Sequence, residues 1–305
     1  MSSFHTNAQA ILWVLVSTAI FTVIFAAAKF ADGAIGTFQI LFLRYISSGV
    51  TVFCLAARSG PLAQYKSKVP FRHLLRAILG TSAAAAITWA SAHMPVADAS
   101  AIGILYGVIT VLIGVVFLKE YVGLRHGLAV LISLAGAALV MFSQGAFQSG
   151  LAAIPAFIAL LSAILMASEG LLIRLLSQTE SALSMMLHVS VFGVLLMCIP
   201  AYIEWKPVSM AVVLGCFALG PLSVFAQYCT IRGYRIAPLS VVGPVDYAWL
   251  IFAMILGVVV FGEYPGAGVL AGGVLIIIGG GVLASVPTQR RRTSAANRAT
   301  CVPDP

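Results

Sequence analysis

Long apolar stretches, separated by only a few polar residues, make up almost the whole chain. Ten of them run over residues 8–28, 36–57, 73–92, 97–118, 124–143, 151–173, 182–203, 208–231, 239–261 and 266–286. Each is close to the roughly 20 residues that cross about 30 Å of hydrocarbon as a helix. Inside hydrocarbon every backbone N–H and C=O must bond within its own segment, so each stretch predicts a transmembrane α-helix. Strands alternating polar and apolar positions are missing, which argues against an outer-membrane barrel. The first stretch has neither the basic start nor the small-residue cleavage site of a signal peptide, so it is expected to stay as a helix of the mature protein.

The last two stretches, joined at Phe261-Gly262-Glu263-Tyr264-Pro265, repeat an earlier part of the chain. At one constant displacement Gly257-Val258-Val259 falls on Gly114-Val115-Val116 and Glu263-Tyr264 falls on Glu120-Tyr121. Gly266 falls on Gly123, Gly279 on Gly136 and Pro238 on Pro95. The chain holds only nine acidic residues, so a glutamate matched together with its neighbours carries weight. Close to the same displacement, Leu43, Gly49, Val50 and Cys54 fall on Leu187, Gly193, Val194 and Cys198, and Ser17 falls on Ser162. A duplication is expected, with a first repeat over 1–147, a second over 148–286 and a basic, disordered tail over 287–305. Five helices per half is an odd number, so the second copy enters the membrane with the opposite sense and the repeats are inverted.

Composition supports this frame. Of 305 residues 61% are hydrophobic and 9% charged, and the mean hydropathy is +1.06, outside the range of soluble domains. The fold class is all-α, an integral membrane protein of ten transmembrane helices. With the amino terminus cytoplasmic, 14 of the 17 Lys and Arg residues fall in inward loops or the tail, from Arg58, Lys66, Lys68, Arg72 and Arg76 to Arg290, Arg291, Arg292 and Arg298. Lys29 and Lys206 fall outside, and Arg44 lies within a helix. The bias places both termini in the cytoplasm of a cell whose inner membrane the chain spans. It also accounts for the net charge of +8 through topology and anionic lipid, with no nucleic-acid partner.

Ten helices in two inverted halves, each with a Gly-rich apolar helix ending in Lys-Glu or Gly-Glu before the last helix, resemble the drug/metabolite transporter superfamily, in its EamA family. The matching residues are Pro244 and the run Gly257 to Gly266 in the second half, with Lys119-Glu120-Tyr121 and Gly136 in the first. Ala101 stands where the first half would carry the counterpart of Pro244. The resemblance implies a central cavity between the halves, lined by the first, third, fourth, sixth, eighth and ninth helices. It makes the fifth and tenth helices a scaffold or contact surface, and a homodimer is carried as an expectation. Gly272, Gly273, Gly279, Gly280 and Gly281 agree with that, since small residues let backbones approach closely.

Polar groups at membrane depth are costly, so they mark candidate function. Asp246, beside Tyr247 and Trp249, follows Pro244, which bends a helix by removing an N–H. Glu169 lies in the sixth helix near Arg174, either facing the cavity or reaching the cytoplasmic surface with that arginine. Arg44 is deep in the second helix and could contact an anion or hold helices together. His188, at the matching place in the second repeat, could carry a proton or bond a neighbouring helix. Asp98 is close to the outer surface and is expected to be a solvated rim residue. Trp13, Trp89, Tyr106 and Tyr228 fall in helices that the resemblance gives to the cavity, and Gln227 adds a hydrogen-bonding group. Together they suit a planar or amphipathic organic solute stacked on rings.

The glycines follow no strand and lead to no Lys-Ser or Lys-Thr, so no P-loop drives transport by ATP. No cofactor and no metal are expected. Cys54, Cys198, Cys216 and Cys229 read as packed thiols, and the histidines have no zinc-binding spacing. The function expected is secondary transport of a small organic metabolite (amino-acid-like, adenosyl-type or vitamin-like) by alternating access, with Glu169 or Asp246 as proton acceptor. The alternatives are multidrug or metabolite efflux on the same fold and, more distantly, a membrane enzyme acting on a lipid-linked substrate. The short connections lack the catalytic groups an enzyme would gather at one membrane face.

Overall fold

The computed structural model describes residues 2–31, 33–103, 105–109, 113, 124–143, 153–236, 245 and 248–285. Its elements are helical: α1 (Ser2–Phe25), a short continuation α2 (Ala27–Phe30), α3 (Thr37–Ser59), α4 (Pro70–His93), α5 (Val96–Gly103), α6 (Leu124–Ser143), α7 (Ala153–Ser177), α8 (Ala182–Ile203), α9 (Met210–Ile236), α10 (Ala248–Phe261) and α11 (Ala267–Ser285). Six of these stretches are long and apolar enough to cross a membrane: Ala8–Phe30, Thr37–Ser59, Pro70–His93, Ala153–Ser177, Ala182–Ile203 and Met210–Ile236. Asp98–Ile109, Ala248–Phe261 and Ala267–Gly279 are shorter apolar helices. The eighth stretch, read from the sequence as ending at 231, runs on as helix to Ile236. Ile199, Ile203, Leu195, Val259 and Leu131 stand exposed on the outside, as a lipid-covered surface requires.

The hydroxyls of an apolar helix bond back to its own carbonyls, Thr18 to Val14, Thr22 to Thr18 and Thr51 to Ser47, each at 2.8 Å. Pro221 sits inside α9 and cannot donate to the carbonyl four residues earlier, that of Phe217. Ser47 of α3 takes that place, donating to the Phe217 oxygen at 2.6 Å, while Ser48 donates to the Gly220 oxygen at 3.2 Å. A Cβ at Gly220 would collide with Ser47. The proline and its serine partners therefore lock α3 to α9.

The principal contacts join the two halves of the chain. α1 packs on α9 and α4 on α7, α3 on α8 and on α9, α4 also on α8, α5 on α10, and α6 on α11. Under the expected repeat, which would match α1 with α7, α3 with α8, α4 with α9, α5 with α10 and α6 with α11, the exchange leaves this set of partners unchanged. One hydrogen bond obeys the same exchange. Ser17 donates to the Ala226 oxygen at 2.9 Å, and its sequence counterpart Ser162 donates to the Ala83 oxygen at 2.9 Å. α6 and α11 come close at Gly136 and Gly272, where a Cβ on Gly136 would lie 2.6 Å from the Gly272 oxygen.

One end of the bundle is tied by acids on helix starts. Gly262, at φ 65°, turns the chain so that the Glu263 amide donates to the Gly257 oxygen at 2.9 Å. The Glu263 carboxylate then accepts from the Val96 N–H that opens α5, at 3.1 Å, and pairs with Lys29. Glu204 accepts from the Phe38 N–H in the first turn of α3 at 3.3 Å. At the opposite end Arg235 donates to the Ser177 and Glu180 oxygens at 2.9 and 2.7 Å, satisfying the carbonyl end of α7. Asp98 departs from the sequence expectation. It is 2% exposed in the first turn of α5, with Oδ1 lacking a hydrogen-bond partner, because α5 starts inside the bundle, where its opening Val96 N–H is capped by Glu263.

Candidate functional site

A cavity of about 930 Å³, counting the part open to solvent, lies where α1, α3, α4, α7, α8, α9 and α10 meet, with Tyr106 beyond α5 on its wall. The helices that the resemblance implied all contribute. So do the second and seventh apolar stretches, through Arg44, Tyr45 and Val189, which that expectation did not include.

The walls come from local packing. Phe21 and Phe25, one turn apart on α1, stack at 5.5 Å with ring planes 12° apart, and Trp249 of α10 leans on Phe25 at 5.7 Å. One turn before Phe21, Ser17 is hydrogen-bonded to Thr230 at 2.6 Å across the α1 and α9 seam. Gln227 and Ser223 lie on the α9 side. The surface is thus mostly apolar and ring-lined with a few hydroxyl and amide groups, the make-up of a small-molecule site.

Two charged residues line it among the described residues, Glu169 and Arg44, with Arg76 behind the acid. Glu169 of α7 keeps 17% of its side chain exposed in the cavity, and Oε1 lies 3.5 Å from Nε of Arg76, which is buried in α4. Nη1 of Arg76 donates to the Met185 oxygen of α8 at 3.1 Å, so this arginine braces three helices. Gly80 makes room for the acid, since a Cβ there would overlap the Glu169 carboxylate. Arg44 of α3 is 3% exposed, with its guanidinium 4.8 Å from the centre of the Tyr45 ring. Nε and Nη1 of Arg44 are buried without a hydrogen-bond partner. Tyr45 is itself fixed. Its hydroxyl accepts from Thr81 at 3.1 Å, and a Cβ on Gly193 would come within 2.6 Å of its ring.

Of the residues singled out in the sequence, Arg44, Tyr106, Glu169, Gln227 and Trp249 meet on this cavity. Trp13 and Tyr228 instead pack edge to face at 6.0 Å, with Arg232 over the tyrosine ring. Trp89 stacks on His93 at 3.9 Å. His188 bonds to the Ser184 oxygen at 2.8 Å and stacks on the buried His73 at 4.3 Å, so it serves the α4 and α8 contact. Asp246, Tyr247 and Pro244 lie outside the described residues. The sequence reading counted Arg76 among inward loop charges; it is fully buried, because α4 begins at Pro70 and carries it a turn and a half into the bundle. Cys54 and Cys198 are exposed rather than packed, whereas Cys216 and Cys229 are buried.

Comparison with known proteins adds the following. The model of the EamA-like transporter family matches the chain twice, over residues 8–142 and 153–284. The pseudopaline exporter CntI of Pseudomonas aeruginosa is 24% identical over 274 residues, covering 88% of this chain and 93% of its own. The riboflavin transporter of Vibrio cholerae is 24% identical over 300 residues, covering 96% and 98%. The S-adenosylmethionine uptake transporter of Rickettsia prowazekii is 22% identical over 276 residues, covering 90% and 92%. A solved crystal structure shares the fold at a TM-score of 0.65 and 18% identity, over 90% of this chain and 96% of the other.

Proposed function

The chain belongs to the EamA-like transporter family, and on that premise we propose that it moves a small organic metabolite across an inner membrane by alternating access of two inverted five-helix repeats. A cavity shared by both repeats carries this reading. The helix partners that exchange symmetrically, and the Ser17 and Ser162 hydrogen bonds that do the same, support a two-fold relation between the halves. Ten spans, an odd five per half, make that axis lie in the membrane plane and turn one half against the other. Both termini are placed in the cytoplasm, which sets the end tied by Lys29 and Glu263 outside.

Within the cavity, the rings of Trp249 and Tyr106 hold the solute's apolar body and Gln227 orients it. Arg44 and Glu169 supply charge, and Asp246 with Tyr247 are proposed to complete the site. Trp13, Tyr228, Trp89 and His188 take supporting places on the surrounding helices. Proton exchange is placed at Glu169, whose bond to Arg76 can break as the halves rock. The test is counterflow of labelled riboflavin, S-adenosylmethionine and aromatic amino acids in proteoliposomes. Transport of at least one, lost in Trp249→Ala, is expected; a folded protein that moves none of a broad metabolite set refutes the reading. Glu169→Gln should keep counterflow but lose accumulation driven by a pH gradient, and accumulation at the wild-type rate would remove the proton role.

A further inference from the structure

We infer that Arg44 is the seat of a carboxylate on the transported solute, so that the substrate class is an organic acid or zwitterion with a ring-bearing apolar body. The inference rests on the cavity being the transport site proposed above.

A guanidinium taken out of water costs several kcal/mol unless acceptors replace the water it loses. Arg76 has found one such acceptor in the Met185 oxygen and an acid 3.5 Å away in Glu169, although its Nε and Nη2 make no hydrogen bond. Arg44 has not. It is 97% buried by the measure of its 3% exposure, and it lines the cavity with Nε and Nη1 unpartnered. The Tyr45 ring covers one face of the guanidinium and cannot satisfy its N–H groups, which lie in the guanidinium plane. Glu169, the acid on the cavity wall among the described residues, lies within ion-pair distance of Arg76 and not of Arg44. The planar fork of an arginine fits a carboxylate with two parallel bonds, a geometry that a point-like ammonium does not offer. Phe21, Phe25 and Trp249 line the same space, which places a ring or similarly flat apolar group within reach of the acid head.

The experiment is a thermal-shift titration of the purified full chain in detergent. Indole-3-acetate, tryptophan and S-adenosylmethionine are each compared with their carboxamides, which keep the body and remove only the carboxylate's negative charge. At least one acid should raise the melting temperature and bind about tenfold or more tightly than its amide. Arg44→Gln should erase that preference. Arg44→Lys, which keeps the charge and guards against a folding defect in the first variant, should retain the preference with weaker binding. Equal binding of acid and amide, an unchanged preference in Arg44→Gln, or no binding of any acid overturns the inference. Counterflow separates this from the transport reading. Solutes that are carried without acid preference sink the carboxylate seat alone, whereas Arg44-dependent binding with no counterflow sinks the carrier.

Discussion

At the scale of single residues, Glu169 on the cavity wall is paired with the buried Arg76 behind it. Glu169→Ala leaves a fully buried guanidinium without its acid and should destabilise the protein by about 3 kcal/mol, read as a lower melting temperature in detergent; an unchanged melting temperature would show that water replaces the carboxylate. Gly80→Ala tests the same contact from the other side. Its methyl can push only the end of a flexible side chain, so the protein should express normally while counterflow falls several-fold. The acid and Arg44 were legible in the sequence because ionisable groups are rare at membrane depth. Arg76 was not, since an arginine near the start of an apolar stretch reads equally well as a topology signal. Aromatic residues were ambiguous for a different reason. Trp249 and Trp13 both stand in apolar stretches, and the rotation of each helix in the bundle sends one to the cavity and the other against Tyr228.

At the scale of elements, the apolar stretches located the helices well because hydrocarbon permits little else. Their ends were less legible, as at Ile236, where polar Arg232 and Arg235 lie within the helix rather than beyond it. The lock between α3 and α9 gives a prediction in two steps. Ser47→Ala should cost roughly 1–3 kcal/mol, because the Phe217 oxygen that Pro221 leaves unbonded loses its donor. Pro221→Ala restores an N–H within α9, so the double variant should recover most of that loss. Additive losses in the cycle would mean that Ser47 acts by packing alone. α6 and α11 give a second. Gly272→Leu should force those helices apart at Gly136 and lower the yield of folded protein, whereas Gly266→Leu, which meets nothing within 4 Å, should be tolerated. Equal yields would place the close approach elsewhere.

At the scale of the whole molecule, a glutamate and a handful of glycines lead the sequence reading to expect a duplication, and the family model matches the chain over residues 8–142 and 153–284. The sequence could not show which groups would meet across the halves, because Lys29, Val96 and Glu263 are far apart in the chain. Glu263→Ala should loosen that end of the bundle. In a chain freed of its own thiols, a cysteine placed at Phe25 should then label several-fold faster from the Lys29 side, and unchanged labelling would assign the closure to other contacts. Glu204 at α3 and Glu263 at α5, which accept from N–H groups at helix starts, both come from the later half of the polypeptide and serve the earlier one. A gene cut between residues 147 and 153 should therefore yield an amino-terminal fragment that is degraded when made by itself and rescued when its companion fragment is supplied in the same cell.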